Sequence, residues 1–153
     1  MMIDQTKKCA IILLAEDDPG DQKLTKKAFN DGKIDNDLYI VNDGEEALDY
    51  LLRRGKYQDP ASSPRPDLFL LDLNMPKIDG RQVLEEMKRN PDCPKVPTVV
   101  LTTSKQEEDI IRTCNLGIKS YITKPVNFGS FVEAIQTLGK YWFKLVVLPP
   151  SKD

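Results

Sequence analysis

Apolar and polar positions along this chain follow two rhythms. Short runs of mainly aliphatic, aromatic or β-branched residues occur at Cys9 to Ala15 (continuously apolar), Leu38 to Val41, Leu68 to Leu71, Val96 to Leu101 and Ser120 to Thr123. Each has strand length without polar alternation, the pattern of strands covered on both faces. Between them, apolar residues recur at helical spacing: Leu24, Ala28 and Phe29; Ala47, Leu48, Leu51 and Leu52; Val83, Leu84 and Met87; Ile110 and Ile111; Phe131, Val132, Ile135 and Leu138. Pro19, Asp43-Gly44 and Asp79-Gly80 suit helix starts, while Asn30-Asp31-Gly32, Asn90-Pro91 and Gly117 suit helix ends. Two later helices are expected, one from about Gln106 to Asn115 and one from about Phe128 to Tyr141 or Phe143. Gly55 to Pro66 is rich in Pro and Ser without an apolar period, so a surface loop is expected there.

Strand and helix thus alternate five times over. Strands buried on both faces and joined by helical crossovers predict an α/β fold: a five-stranded parallel sheet, doubly wound, with helices on both faces. The expected strand order is the flavodoxin-like 2-1-3-4-5. Residues 1–8 are expected to form a short N-terminal tail, 9–143 the folded domain and 144–153 an apolar C-terminal extension. Ligands of such sheets bind beyond the carboxyl ends of the strands. Glu16-Asp17-Asp18, Asp72, Thr102-Thr103-Ser104 and Lys124-Pro125 all fall at those ends.

Composition narrows the chemistry. A chain of 153 residues with 40% hydrophobic and 30% charged residues has the make-up of one ordinary soluble domain. A net charge of -2 carries no basic surplus, so nucleic-acid binding is not expected; Lys23, Lys26 and Lys27 read as a solvated helix face. No apolar run approaches the ~20 residues that cross a bilayer, and Met1 to Lys8 has no export pattern. A cytoplasmic protein without membrane contact is expected. Cys9, Cys93 and Cys114 are widely spaced and read as reduced thiols. The chain has no histidine. That removes Ser-His-Asp and Cys-His nucleophiles and His-based metal sites, and leaves a carboxylate as the natural carrier of a covalent phosphate.

Asp72 is the central candidate. A carboxylate where a buried strand opens into a loop costs desolvation unless a cation meets it. Asp17 and Asp72 can each give one oxygen to Mg²⁺, for which Mn²⁺ can substitute; Glu16 can act directly or through water, and the backbone carbonyl of Asn74 can complete the protein's share. Asp72 then serves as nucleophile toward phosphorus, since carboxylates do form aspartyl-phosphates. Lys124 supplies a mobile point charge for a phosphoryl oxygen, aimed by Pro125, and the Thr102 hydroxyl can move to hydrogen-bond another. Read singly, each residue also has an ordinary role as cap, helix-terminal charge or surface group, and Asp18 is read as a helix N-terminal charge alone. Their joint placement carries the chemistry.

These residues resemble the receiver domain of two-component response regulators. The matching pieces are Leu13-Leu14-Ala15-Glu16-Asp17-Asp18, Leu71-Asp72-Leu73-Asn74-Met75-Pro76 with Asp79-Gly80, Thr102 after Val99-Val100-Leu101, and Tyr121-Ile122-Thr123-Lys124-Pro125, spanning about Cys9 to Phe143. The resemblance implies that Asp72 accepts phosphate from a sensor histidine kinase. It implies that Glu16, Asp17 and the Asn74 carbonyl help bind Mg²⁺, and that Thr102 and Lys124 contact the phosphoryl group. Kinase choice would lie partly on the first helix. Tyr121 has two open readings: a core tyrosine, or an aromatic switch that turns inward when Thr102 moves and alters the face of helix four, strand five and helix five. Asn74-Met75-Pro76-Lys77 with Asp79-Gly80-Arg81, the Pro-rich stretch and the ending Trp142 to Pro150 are closer to small single-domain members that pair with bacterial, especially cyanobacterial, phytochromes.

By that closer resemblance a phytochrome is the expected kinase partner, and output passes to a downstream protein because no output domain fits after Asp153. Thr103 is bulkier than the small residue common there in the family, which implies slow loss of the phosphate. The apolar tail, Trp142 to Leu148, either folds back or forms a homodimer contact. An enzymatic alternative, a phosphatase with an aspartate nucleophile, usually needs a second Asp two positions on; Asn74 stands there. A phosphate-independent binding module of the same fold is the other alternative.

Overall fold

The computed structural model describes residues 10–31, 35–73, 75, 77–102, 120–123, 129, 132–133 and 136–137, with 102 and 120–123 described by their backbone. Five parallel strands, β1 (Ala10–Ala15), β2 (Asn36–Val41), β3 (Leu68–Asp72), β4 (Thr98–Thr102) and β5 (Ser120–Thr123), lie in the order β2-β1-β3-β4-β5. Three helices occur among the fully described segments: α1 (Pro19–Asp31), α2 (Gly44–Leu51) and α3 (Gly80–Arg89). The helices expected around 106–115 and 128–143 lie largely outside the described residues.

Burial explains which strands read as unbroken apolar runs. All five residues of β3 are buried, and in β1 only Ile11 is partly exposed. Edge strand β2 buries only Val41 completely, so it tolerates Asn36 and Asp37, and its pairing begins two residues before the apolar run. The sheet's alternation builds two cores. Leu13, Ala15, Val41, Phe69, Leu71 and Val100 pack with Ala47, Leu48 and Leu51 of α2 and Val83 and Leu84 of α3. Ile12, Leu14, Leu68, Leu70, Val99 and Leu101 pack with Ala28 and Phe29 of α1, and Val132 lies against the same face. Helices therefore cover both faces.

Helix starts follow their capping chemistry. Asp43 accepts a hydrogen bond from the Glu46 N–H, and Asp79 and Gln82 form a reciprocal capping box. At α1 the Asp21 N–H donates to Asp18 at 2.9 Å, which is the helix-terminal role expected of Asp18. On α1 the buried row is Thr25, Ala28 and Phe29, while Leu24 is only partly covered. Thr25 tolerates burial because its hydroxyl donates to the Asp21 carbonyl at 2.8 Å.

The Pro/Ser-rich connection departs from a simple surface loop. A 3₁₀ turn spans Gly55–Tyr57, and Ser63 is buried. The Tyr50 hydroxyl donates to the Pro64 carbonyl at 2.7 Å, and the Arg53 guanidinium donates to the Ser63 carbonyl at 3.2 Å. Tyr39, Tyr50 and Tyr57 pack in series as tilted aromatic pairs with centroid spacings of 6.1 and 5.1 Å. The segment is docked on α2 through aromatic and backbone contacts.

Candidate functional site

Strand register assembles the site. Ala15 pairs with Leu71, so Glu16, one residue on, stands level with Asp72 at the carboxyl end of the sheet. Ligand oxygens of Glu16, Asp17 and Asp72 all lie within 4.8 Å of one another. Glu16 and Asp72 are only 1% and 3% exposed, whereas Asp17 is exposed. Three carboxylates this close repel unless positive charge stands among them, and hard oxygen donors are what Mg²⁺ and Mn²⁺ accept. The donor set fits a divalent ion.

Backbone contacts hold both acidic segments. Beyond β1, the Glu16 N–H donates to the Val41 carbonyl at 3.0 Å and the Asp18 N–H to the Glu16 carboxylate at 3.2 Å. From α1, the Gln22 amide donates to the Glu16 carbonyl at 2.6 Å. Beyond β3, Leu73 and Met75 are buried and anchor the loop. The Gly80 N–H donates to the Leu73 carbonyl at 3.1 Å. A Cβ at Gly80 would stand 2.6 Å from the Asp72 carbonyl oxygen, so α3 approaches the backbone of Asp72 as closely as glycine permits. Gly44 allows a similar approach of α2 to the Ile78 carbonyl, where a Cβ would stand at 1.8 Å. Lys77, at φ 66°, reaches Asp43 at 3.5 Å and Glu45 at 3.8 Å, tying the same loop to α2.

The remaining expected site residues are placed less fully. Thr102 ends β4 and its backbone pairs with Thr123, which directly precedes Lys124. Tyr121 pairs with Val100 inside β5. The side chains of Thr102 and Tyr121, and the whole of Asn74, Thr103, Lys124 and the C-terminal extension, lie outside the described residues.

A polar chain beside the acids was not singled out in the sequence. Gln22 also donates to the Asn42 side-chain oxygen at 2.9 Å, and the Asn42 N–H donates to Glu46 at 2.8 Å. The other Glu46 oxygen accepts the Tyr57 hydroxyl and an ion pair from Lys56 at 3.3 Å. Burial pushes the Glu46 carboxyl upward, but Tyr57, the Asn42 N–H and Lys56 outweigh it and hold it below the usual glutamate range. The Tyr57 phenol moves up, through burial first and then its bond to Glu46. The spacing Asp43-x-x-Glu46 is a capping signature and was the available clue.

Comparison with known proteins decides the family. The family model described as the response regulator receiver domain matches residues 12–136. The chain belongs to the response regulator receiver family. It is 41% identical to response regulator Rcp1 of Synechocystis sp. over 150 residues, covering 98% of this chain and 100% of Rcp1. Among solved structures, the phosphorylated cyanobacterial phytochrome response regulator RcpA is 38% identical with a TM-score of 0.78, covering 94% of this chain and 100% of RcpA. The Mn²⁺-bound form of Rcp1 is 42% identical with a TM-score of 0.76, covering 92% of this chain and 99% of that one. The acidic cluster of this receiver domain and the Mn²⁺-bound relative agree on divalent-metal chemistry. Among the described residues no helix is long and apolar enough to cross a membrane.

Proposed function

We propose that this receiver domain is a phosphoacceptor in which Asp72 takes a phosphoryl group from a sensor histidine kinase. The observation that supports this most is the meeting of Glu16, Asp17 and Asp72 within 4.8 Å at the ends of β1 and β3. An Asp72 carboxylate oxygen attacks phosphorus in line; the phosphorus–nitrogen bond of the kinase's phosphohistidine breaks, its electron pair returning to the imidazole nitrogen. Glu16, Asp17, Asp72 and the Asn74 carbonyl would hold Mg²⁺, or Mn²⁺ in its place. The bound ion supplies positive charge against the phosphoryl oxygens.

Lys124 and Thr102 contact the transferred group in this reading, and Tyr121 turns with Thr102 to change the face of helix four, strand five and helix five. The relation to RcpA, named as a phytochrome response regulator, favours a phytochrome as the kinase. Output goes to a downstream protein in the cytoplasm, and the apolar stretch Trp142 to Leu148 forms a homodimer contact with a second copy. The test is intact-mass measurement after incubation with acetyl phosphate and Mg²⁺. Wild type should gain the mass of one phosphoryl group and Asp72→Asn none; equal labelling of both would refute Asp72 as acceptor.

A further inference from the structure

Gln22 lies on the first turn of α1, half-buried, and its side-chain amide donates to two acceptors within the protein. One bond goes to the Glu16 carbonyl at 2.6 Å, the other to the Asn42 side chain at 2.9 Å. Glu16 sits in the turn between β1 and α1 that carries two of the three clustered carboxylates. On its amino side that turn is fixed by the Glu16 N–H bond to Val41. On its carboxyl side the Gln22 amide holds the Glu16 carbonyl, at the peptide that leads directly into Asp17. Asn42 is in turn held by Glu46, and Glu46 by Tyr57 and Lys56 of the 3₁₀ turn. The chain of contacts therefore runs from the docked Pro/Ser-rich segment, across the β2–α2 corner, to the backbone beneath the acids.

We propose that Gln22 is a positioning residue for the acidic site, setting the peptide between Glu16 and Asp17 so that both carboxylates face Asp72. This rests on the reading of that cluster as a divalent-ion site. A neutral amide suits the task. It donates two hydrogen bonds and adds no charge beside mutually repelling acids, whereas a carboxylate there would add repulsion and an ammonium would compete with the ion. Partners that orient metal ligands typically matter by about 10- to 100-fold in affinity. A carbonyl held one bond away from the ligand belongs at the lower end.

The experiment measures Mn²⁺ affinity by electron paramagnetic resonance of the free ion, for wild type, Gln22→Met and Tyr57→Phe. Gln22→Met keeps length and helix propensity but cannot donate. Its Mn²⁺ dissociation constant should rise about tenfold, while the rate of Asp72 modification by acetyl phosphate returns to the wild-type value at saturating Mn²⁺. Tyr57→Phe should raise the constant by a smaller factor in the same direction. Gln22→Asn, which keeps the amide but shortens its reach, should weaken binding as well and carries the test if Gln22→Met does not fold. Wild-type affinity in these Gln22 variants would overturn the proposal, as would a loss of rate that saturating Mn²⁺ does not restore. Failure of the wild type itself to bind Mn²⁺ would instead refute the metal-site reading, so the two are told apart.

Discussion

Replacing Gly80 by alanine should destabilise the protein, against the usual direction for glycine within a helix. At an open helix position, Gly→Ala gains up to about 1 kcal/mol from propensity. Here the new Cβ would stand 2.6 Å from the Asp72 carbonyl oxygen, 2.7 Å from the Leu73 Cα and 2.9 Å from the Leu73 Cδ2. Ordinary contact begins near 3.4 Å, so the backbone must part by roughly 0.8 Å in a region packed like a solid. Neither side yields easily. The first turn of α3 is fixed by the Asp79–Gln82 capping box, and Leu73 and Asp72 are buried. Over-packing of this kind costs about 1–3 kcal/mol. Three contacts under 3.0 Å put the cost at the upper end, about 2–3 kcal/mol; after a propensity gain of up to about 1 kcal/mol a net loss of about 1–2 kcal/mol remains, or about 2–8 °C in Tm for a chain of this length. Thermal melts followed by circular dichroism measure it, and Mn²⁺ titration of the same samples should show weaker binding because the displaced atoms belong to Asp72. A melting temperature equal to or above that of wild type would refute the close-approach argument.

Three further outcomes follow from the same contacts. The Glu46 carboxyl is depressed in the folded state, so its contribution to stability is fully present above the unfolded glutamate value of about 4.3 and is lost as pH falls through its lower folded value. Tyr57→Phe removes the first of the contacts that lower it, and urea midpoints taken between about pH 6 and pH 3 should fall less steeply than those of wild type; parallel curves would contradict this. Phe29→Ala removes a 1% exposed ring from the α1 side of the sheet and should cost about 3–5 kcal/mol in urea unfolding. Tyr50→Phe leaves the Pro64 carbonyl without its 2.7 Å donor and should cost about 1 kcal/mol, with faster amide exchange confined to the Pro/Ser-rich segment.

How much was legible depends on whether a residue's cost is local. β3 was readable because five buried residues in succession leave no polar alternation, and α2 and α3 because Asp43 and Asp79 announce their own starts. The acids were readable for the same reason: a carboxylate directly after a buried strand is expensive wherever it stands. Strand starts were less legible. β4 begins at Thr98, yet Pro97, with no N–H to give, still takes part by accepting from Phe69 at 2.9 Å. The docking of the Pro/Ser-rich segment was hidden because its acceptors are backbone carbonyls at Ser63 and Pro64, which carry no sequence signature. Gln22 was hidden because an amide on a helix reads as solvated until the Glu16 carbonyl is seen beneath it.

A divalent ion bound at the acidic cluster would enter the fold's energetics. Glu16 and Asp17 follow β1 and Asp72 closes β3, so an ion held by all three would cross-link two central strands at their carboxyl ends. Binding only the native arrangement stabilises it by mass action, about 2.7 kcal/mol at one hundred times the dissociation constant. For a chain of this length that is roughly 5–10 °C in Tm. The rise should appear with Mn²⁺ or Mg²⁺ and not with NaCl at matched ionic strength, because salt screening does not need the three carboxylates to be arranged. Asp17→Asn keeps the shape of the exposed ligand and removes its charge, so the ion-dependent rise should shrink to a small fraction of the wild-type value. An equal rise in Asp17→Asn and wild type, or one reproduced by NaCl, would show that the ion acts elsewhere on the surface and that the meeting of these strand ends is not a metal centre.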